Sequence, residues 1–299
     1  MNPKFYDVVC FGEILWDLLP SGARPGGAPM NVSYHVGKLG LPAALISRVG
    51  KDNHGNELLR ILNNNGQTTD FIQIDPDHTT GVVNASIGEN NEVTYEIVHP
   101  VAWDFIERKD ILLSMVEQSP YFIFGSLVCR DIHSRKTLME LIEIAQKKVV
   151  DINLRPPHFT KEIVEYLLHS ADIIKLNEHE LPLISAWYHS FIDEEEQARW
   201  LQEHFSIPIV VVTKGGKGAF LCSEGKIFRH EGYKVKVADT IGSGDAFLAG
   251  FLSRMHSGLG MDECLRFANS MGAFIASKTG ACPKYDVGEV MEAGAKSEM

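Results

Sequence analysis

A glycine-rich segment near the C-terminal end, residues 239–247 with the sequence DTIGSGDAF, holds the residues best suited to chemistry. An apolar-striped helix is predicted to begin here, so the backbone N–H groups of Gly242, Ser243 and Gly244 can face a bound anion, with the helix dipole adding to the attraction. Asp245, in the first turn, is placed to accept a proton from a hydroxyl that attacks a phosphoryl group. The alternative is an ordinary glycine turn in which Asp245 is only a helix-start charge.

The elements that must position this segment alternate between strands and helices. Strand-like runs rich in β-branched and aromatic residues occupy residues 8–11, 44–49, 121–124, 149–152, 173–176, 207–213 and 233–237. The spacing i, i+3, i+4, i+7 marks one buried helix face at Leu138, Leu141, Ile142 and Ala145, and another at Leu248, Phe251, Leu252 and Met255. The pattern predicts an α/β fold whose mostly parallel central sheet is flanked by helices.

One region interrupts the alternation. Residues 80–87 and 92–98 are predicted to be two strands joined by a turn at residues 88–91, with no helix between them. Together with the Gly/Pro-rich stretch at residues 15–29, this hairpin is expected to form a small β-sheet lid that excludes water from the end of the main sheet. We therefore expect a single domain over residues 1–299, with a lid from segments of about 12–31 and 80–105.

The amino-acid composition limits the class of binding partner. The 28 basic and 39 acidic residues give a formal net charge of -11, which argues against a nucleic acid or an anionic membrane as the main partner and favours a small soluble ligand. The five cysteines form no CxxC pair and are expected to be reduced core thiols. No signal-peptide pattern and no apolar stretch of membrane-spanning length is evident, so a cytoplasmic location is predicted.

The glycine-rich segment fits the DTxGxGDxF pattern, and the chain resembles the ribokinase-like (PfkB-type) sugar kinases, in particular the fructokinase type. Residues 26–32, GGAPMNV, are similar to the sugar-binding GGxxxNV segment of that family, and residues 48–52, RVGKD, to its second conserved region. The resemblance implies a ribokinase-like fold and transfer of the γ-phosphoryl group of ATP to a sugar hydroxyl. ATP as co-substrate, Mg²⁺ and K⁺ are the implied cofactors.

By this resemblance, the sugar-binding residues are Asp17, Gly26, Gly27, Asn31 and Arg155. Arg155 belongs to the segment DINLR at residues 151–155, which is similar to the DxNxR segment of fructokinases and related ketose or keto-acid kinases. The segment ends a strand, where ligands of open α/β sheets usually bind. Each residue also has a structural alternative. Asp17 is then a surface charge, Asn31 caps a helix over residues 32–39, and Arg155 is a solvated loop cation.

The resemblance also implies nucleotide and metal positions. The nucleotide-binding residues are Asn177, Thr213, Gly215, Gly218 and Asn269. Asn177 and Glu180 form an NxxE motif expected to organise magnesium through water, because hard cations prefer oxygen ligands. Asp239 is the expected ligand of a monovalent cation. The alternative for Glu180 is an exposed helix carboxylate.

The motifs leave more than one sugar as the candidate substrate. D-Fructose, giving fructose 6-phosphate, is favoured, although His99 before Pro100 replaces the arginine of many fructokinases; 2-keto-3-deoxygluconate, ribose and nucleosides are alternatives. A dehydrogenase is disfavoured because Phe247 stands where GxGxxG has its third glycine. A non-catalytic sugar binder would be expected to have lost Asp245. Asp245 needs no raised pKa for the base role, because an ionised aspartate at a helix N-terminus suffices. We expect a homodimer that pairs through the lid.

Overall fold

The computed structural model describes residues 5–19, 22–87, 93–190 and 193–297. Its strands are β1 (Val8–Phe11), β2 (Leu15–Leu19), β3 (Gly22–Gly26), β4 (Ala43–Gly50), β5 (Ile72–Asp75), β6 (Gly81–Ile87), β7 (Val93–Ile97), β8 (Tyr121–Gly125), β9 (Lys148–Asp151), β10 (Ile173–Asn177), β11 (Ile209–Thr213), β12 (Ala219–Ser223) and β13 (Lys226–His230). Its α-helices are α1 (Ala28–Lys38), α2 (Asn53–Asn64), α3 (Asp110–Gln118), α4 (Ile132–Ile142), α5 (Lys161–Ser170), α6 (Glu180–Ser185), α7 (Glu194–His204), α8 (Ser243–His256), α9 (Met261–Ala276) and α10 (Val287–Ser297).

The large sheet has the strand order β13-β12-β11-β10-β9-β8-β1-β4-β5. From β5 to β11 neighbouring strands are parallel, while β12 and β13 continue the sheet antiparallel. The first six predicted runs are therefore confirmed as strands, with ends that differ by at most two residues. The seventh prediction was wrong, because residues 233–237 form no strand and Val237 is 58% exposed.

Two hydrophobic cores hold helices on both faces of this sheet. Because side chains alternate along a strand, Val9 and Phe11 enter one core and Val8 and Cys10 the other. The first core packs against residues such as Leu138 and Leu141 of α4, and the second against others such as Leu248 and Phe251 of α8. Both predicted helix faces are thus packed on the sheet, which fixes the start of α8 at the carboxyl ends of the parallel strands.

A second, four-stranded sheet has the order β3-β2-β6-β7. Strands β2 and β6 are parallel, and the other two pairs are antiparallel. The predicted hairpin is present as β6 and β7, and its turn at residues 88–91 lies outside the described residues. Within the described chain, no helix is long and apolar enough to cross a membrane.

Candidate active site

Asp245 meets a side chain from the other end of the chain. Asn31 Nδ2 donates a hydrogen bond of 2.7 Å to Asp245 Oδ2, across 214 positions of sequence. The predicted helix over residues 32–39 begins earlier than expected, at Ala28, because Pro29 fits the first turn and Gly27 is the N-cap. Asn31 is therefore no cap, and its amide is free to hold the carboxylate of Asp245.

The start of α8 has the geometry of an anion site. Gly242 is its N-cap with φ 77°, in the left-handed region, and a Cβ there would come within 2.7 Å of Ala281, so only glycine fits. Ser243 N and Oγ both contact Thr240 O. In the described chain, the N–H groups of Gly244 and Asp245 have no hydrogen-bond acceptor. Both donors lie in the first turn of α8 and are open to an acceptor. The sequence predicted open N–H groups at Gly242, Ser243 and Gly244, and Ser243 differs because its N–H donates to Thr240 O.

A buried ion pair lies beside this helix start. Lys175 Nζ is 2.8 and 2.9 Å from the two carboxylate oxygens of Asp151, on the neighbouring strand. A Cβ added to Gly244 would be 3.4 Å from the same Nζ. Burial lowers the pKa of Lys175, but the charge of Asp151 and its hydrogen bonds outweigh burial and raise it, so the ammonium stays protonated. The site thus contains a fixed cation next to the predicted oxyanion hole.

The sequence motifs assigned no role to Lys175, in the strand-like run 173–176, or to Asp151, in the segment DINLR. The signal was present, since Asp151 is the last residue of β9 and Lys175 is a charged residue in the middle of β10, between apolar neighbours. Charged side chains in such strands are rarely buried unless they are paired. The pair became recognisable only in the structure, where β9 and β10 are neighbouring strands.

The pKa of Asp245 is raised to about 6, although the base role does not require a raised value. Burial is the largest cause, followed by the negative charge of Asp151. Lys175, the hydrogen bond from Asn31 and the charge of Arg155 act in the opposite direction. At neutral pH most Asp245 carboxyls are still ionised, so the group is able to accept a proton.

The predicted sugar residues gather around the small sheet. Asp17, on β2, lies opposite Arg24 of β3, and a Cβ on Gly26 would overlap its carboxylate. Burial raises the pKa of Asp17, whereas the charges of Arg155 and Arg24 lower it. Because Arg155 also lowers the pKa of Asp245, this exposed cation is electrostatically coupled to both acids.

Asp239 joins the small sheet to the glycine-rich segment. Arg24 Nη1 donates to Asp239 Oδ2 at 2.7 Å, and Gly280 N reaches the same oxygen at 3.2 Å. Asp239 Oδ1 accepts from Ile241 N. A monovalent cation bound by Asp239 therefore has to share its carboxylate with Arg24, a neighbour that the sequence motifs did not indicate.

The NxxE motif is engaged with the backbone. Glu180 accepts from Leu154 N at 2.7 Å through Oε1 and from Asn177 N at 2.9 Å through Oε2. Asn177 Oδ1 accepts from His179 N and Glu180 N, which uses both of its lone pairs. Each Glu180 oxygen keeps one lone pair for a metal-bound water. The chemistry of the donors therefore favours Glu180 over Asn177 as the magnesium residue.

The predicted nucleotide residues differ in what they contact. Gly215, after Thr213, is exposed, and a Cβ there would meet nothing within 4 Å. A Cβ on Gly218 would instead overlap the carbonyl oxygen of His230, so packing between segments explains this glycine without a ligand. Asn269 Nδ2 donates to Leu265 O within α9, and its side-chain oxygen is uncommitted among the described residues.

The sequence is similar to that of known carbohydrate kinases, which agrees with the phosphoryl-transfer geometry of the site. Residues 21–286 match the sequence profile of a family described as pfkB family carbohydrate kinase. A probable chloroplastic fructokinase-6 of Arabidopsis thaliana is 29% identical over 307 residues, covering 92% of this chain and 79% of that protein.

Two solved structures are similar over nearly the whole chain. One is a double-mutant fructokinase from Vibrio cholerae O395 with bound fructose, ADP and potassium ion, at 25% identity and a TM-score of 0.83, covering 98% of this chain and 99% of that one. The other is an uncharacterized sugar kinase from Pyrococcus horikoshii in complex with ATP, at 26% identity and a TM-score of 0.81, covering 98% and 100%. These likenesses confirm the predicted fold class.

Proposed function

The chain belongs to the pfkB family of carbohydrate kinases, and on that premise we propose that it transfers the γ-phosphoryl group of ATP to D-fructose, giving fructose 6-phosphate. The observation that carries the proposal is the convergence of Asp245, Asn31 and Lys175 at the start of α8. A base, a positioning amide and a fixed cation beside open N–H groups suit phosphoryl transfer to an alcohol. The fructokinase relatives and the fructose-bound neighbour favour fructose as that alcohol.

In the proposed reaction, Asp245 accepts the proton of the attacking hydroxyl. Asn31 fixes the orientation of the carboxylate, which leaves Oδ1 for that proton. The N–H groups of Gly244 and Asp245, together with Lys175, stabilise the negative charge on the transferred phosphoryl group. Because these donors are held before the substrates arrive, little reorganisation is needed at the moment of transfer.

The proposed sugar subsite consists of Asp17, Gly26, Gly27, Asn31 and Arg155. Asp17 and Arg155 supply an acceptor and donors for the other hydroxyls, and the two glycines allow the sugar to approach the backbone. The small sheet, within segments of about 12–31 and 80–105 of a single domain, acts as a lid. The ion pair between Arg24 and Asp239 supports this role, because it connects the sheet to the segment that carries the base.

For the nucleotide, we propose contacts with Thr213, Gly215 and Asn269, while Gly218 holds the turn against His230. Magnesium, held through water by Glu180 with Asn177 fixing the loop, would neutralise phosphate charge. Potassium near Asp239 is a further proposal, and an unchanged rate when K⁺ is replaced by tetramethylammonium would exclude it. A cytoplasmic homodimer pairing through the lid completes the proposal.

A coupled ADP-release assay tests the substrate directly. The enzyme is given ATP, Mg²⁺ and one of fructose, tagatose, glucose, mannose, ribose, adenosine or 2-keto-3-deoxygluconate. We expect kcat/KM to be highest for fructose. Preference for another sugar would retain the kinase mechanism and reject fructose, whereas no turnover above ATP hydrolysis with any sugar would reject the proposed reaction for this panel.

A further inference from the structure

Glu13 is a buried acid to which the mechanism above assigns no role. It follows β1 by two residues, and 4% of its surface is exposed. Its backbone is pressed against the start of α1. A Cβ on Gly27 would overlap the carbonyl oxygen of Glu13, and a Cβ on Gly12 would come within 2.8 Å of Pro29. The segment around Glu13 therefore packs directly on the proposed sugar-binding turn.

The side chain of Glu13 reaches the same turn. Oε1 accepts a hydrogen bond of 3.3 Å from Ala28 N, the first residue of α1. This acceptor takes the place of a local cap, since Gly27 has no side chain to offer. Three residues further along α1, Asn31 holds Asp245. Glu13 is thus connected to the catalytic carboxylate through one turn of helix.

The other carboxyl oxygen of Glu13 has no described partner, and Glu13 lines a small cavity. Neither Glu13 Oε2 nor Ser126 Oγ has a hydrogen-bond partner among the described residues, and Ser126 is 1% exposed. Both residues line one cavity, together with Asp151 and Asn153. Its volume for water-sized spheres is about 10 Å³, close to the smallest volume that holds one water molecule.

Two buried polar atoms without partners are costly, because each has given up its hydrogen bonds to bulk water without a replacement. One water molecule in this cavity can bond to both and also meet the polar groups of Asp151 or Asn153, which gives it the two to four partners that buried waters usually have. An apolar occupant would leave both atoms unsatisfied. The volume fits a single water molecule, and the few polar groups in an otherwise apolar lining supply its hydrogen-bond partners.

We propose that Glu13, Ser126 and one bound water molecule form a hydrogen-bonded anchor under the Gly27–Ala28 turn, and that Glu13 is a positioning residue for sugar binding. The water site stands on the geometry alone. The effect on the sugar rests on the proposed function. Glu13 acts through the turn and through Asn31, without touching the phosphoryl group.

The protonation of Glu13 suits this arrangement. Burial raises its pKa to about 7, with the N–H groups of Glu13 and Ala28 acting against burial. Because Oε1 accepts from Ala28 N, a proton on the carboxyl belongs on Oε2. The carboxyl can then donate to the water, and the water to Ser126 Oγ.

A crystal structure of the full chain at a resolution that shows ordered water tests the site itself. We expect a single peak about 2.7–3.2 Å from both Glu13 Oε2 and Ser126 Oγ. In Ser126→Ala the peak should weaken or move, because one partner is removed. A direct hydrogen bond between the two side chains, or no density in the cavity, would overturn the proposal.

Steady-state kinetics of Glu13→Ala and Glu13→Gln test the positioning role. Glu13→Ala should raise the KM for the sugar by about tenfold or more, equivalent to ~1.4 kcal/mol, and leave the KM for ATP within about twofold. Glu13→Gln keeps an acceptor for Ala28 N and a donor for the water, so it should stay within about threefold of the parent enzyme. Glu57→Gln, on the exposed face of α2, is the matched control and should change neither KM.

The outcomes separate the two proposals. If the parent enzyme phosphorylates none of the sugars, the proposed function fails, while the crystal structure still decides the water site. If the parent enzyme is active and Glu13→Ala leaves the sugar KM unchanged, or raises both KM values equally, the positioning role is wrong. Should Glu13→Ala not fold, Ser126→Ala replaces it, with an expected rise of about twofold to fivefold in the sugar KM alone and none if the proposal is wrong.

Discussion

Two buried ion pairs, Arg130–Asp104 and Lys175–Asp151, differ in how many of their polar atoms have hydrogen-bond partners within the protein. The Arg130 guanidinium binds Asp104 at 2.7 and 2.8 Å, donates to Val98 O at 2.7 Å, and lies 3.9 Å from the centre of the Trp103 ring. Asp104 also accepts from Val101 N. Nearly every polar atom of this pair has a protein partner, which is typical of a structural contact.

Lys175 and Asp151 are almost as deeply buried, yet their pair is incomplete. Lys175 has three donors, and its described hydrogen bonds all go to the one carboxylate of Asp151. The ammonium borders Gly244 and influences the pKa of Asp245. The comparison teaches that burial alone does not distinguish structural from functional charges. The functional charge is marked instead by an N–H donor of Lys175 that has no described acceptor and by the neighbouring titratable group, Asp245.

The largest loss of activity is expected for substitution of Asp245, which lies next to the Lys175–Asp151 pair. Asp245→Asn should fold with an unchanged melting temperature and lose about 10²- to 10⁴-fold in kcat, because the general base is removed. Asp262→Asn is the control, since Asp262 also lies in the first turn of a helix, α9, and is exposed. Full activity in folded Asp245→Asn would remove the assigned base.

The complete pair is tested by Arg130→Met. We expect a loss of about 3–5 kcal/mol in the free energy of unfolding, because Asp104 is left buried without its cation. The kcat per folded molecule should stay near that of the parent enzyme. Urea unfolding and active-site-normalised turnover measure the two quantities, and a large drop in kcat with unchanged stability would erase the contrast between the pairs.

Lys175→Met should lower turnover as well as stability, because Asp151 is also left buried without its cation. The loss of a fixed cation at the phosphoryl site is expected to lower kcat per folded molecule by about 10²-fold. The acid limb of the pH profile should also move to higher pH, because Lys175 lowers the pKa of Asp245. If kcat and the limb both stay in place while stability falls, Lys175 is only structural.

The smallest effect concerns pH in the parent enzyme. Asp245 acts as a base when ionised, and its pKa is about 6, so kcat/KM should fall about tenfold between pH 7 and pH 5. The folded-state pKa lies above that of the unfolded chain, so protonation of Asp245 favours the folded state, and this group causes no unfolding in that window. A kcat/KM that stays flat down to pH 5 would contradict the raised pKa.

Several motif residues could be found from the sequence, but not the partners that define their roles. Gly218 and Asn177 fit their motifs, whereas the structure gives them contacts with His230 and with the backbone of α6. Arg24 was missed because nothing local marks it as a partner of Asp239, 215 positions away. Glu13 and Ser126 were missed because they are far apart in sequence and meet only at the ends of neighbouring strands.

The sequence by itself determined the alternation of strands and helices, the glycine-rich start of α8 and the presence of Asp245 in its first turn. These features depend on periodicity and backbone conformation within a few residues, so they are local. Only the tertiary structure decided that Asn31 orients Asp245, that Lys175 and Asp151 form a buried pair, and that the pKa of Asp245 is raised. Such features depend on which strand ends become neighbours and on how much water the packed chain excludes. Both are set by residues far apart in the chain, so no short stretch of sequence shows them.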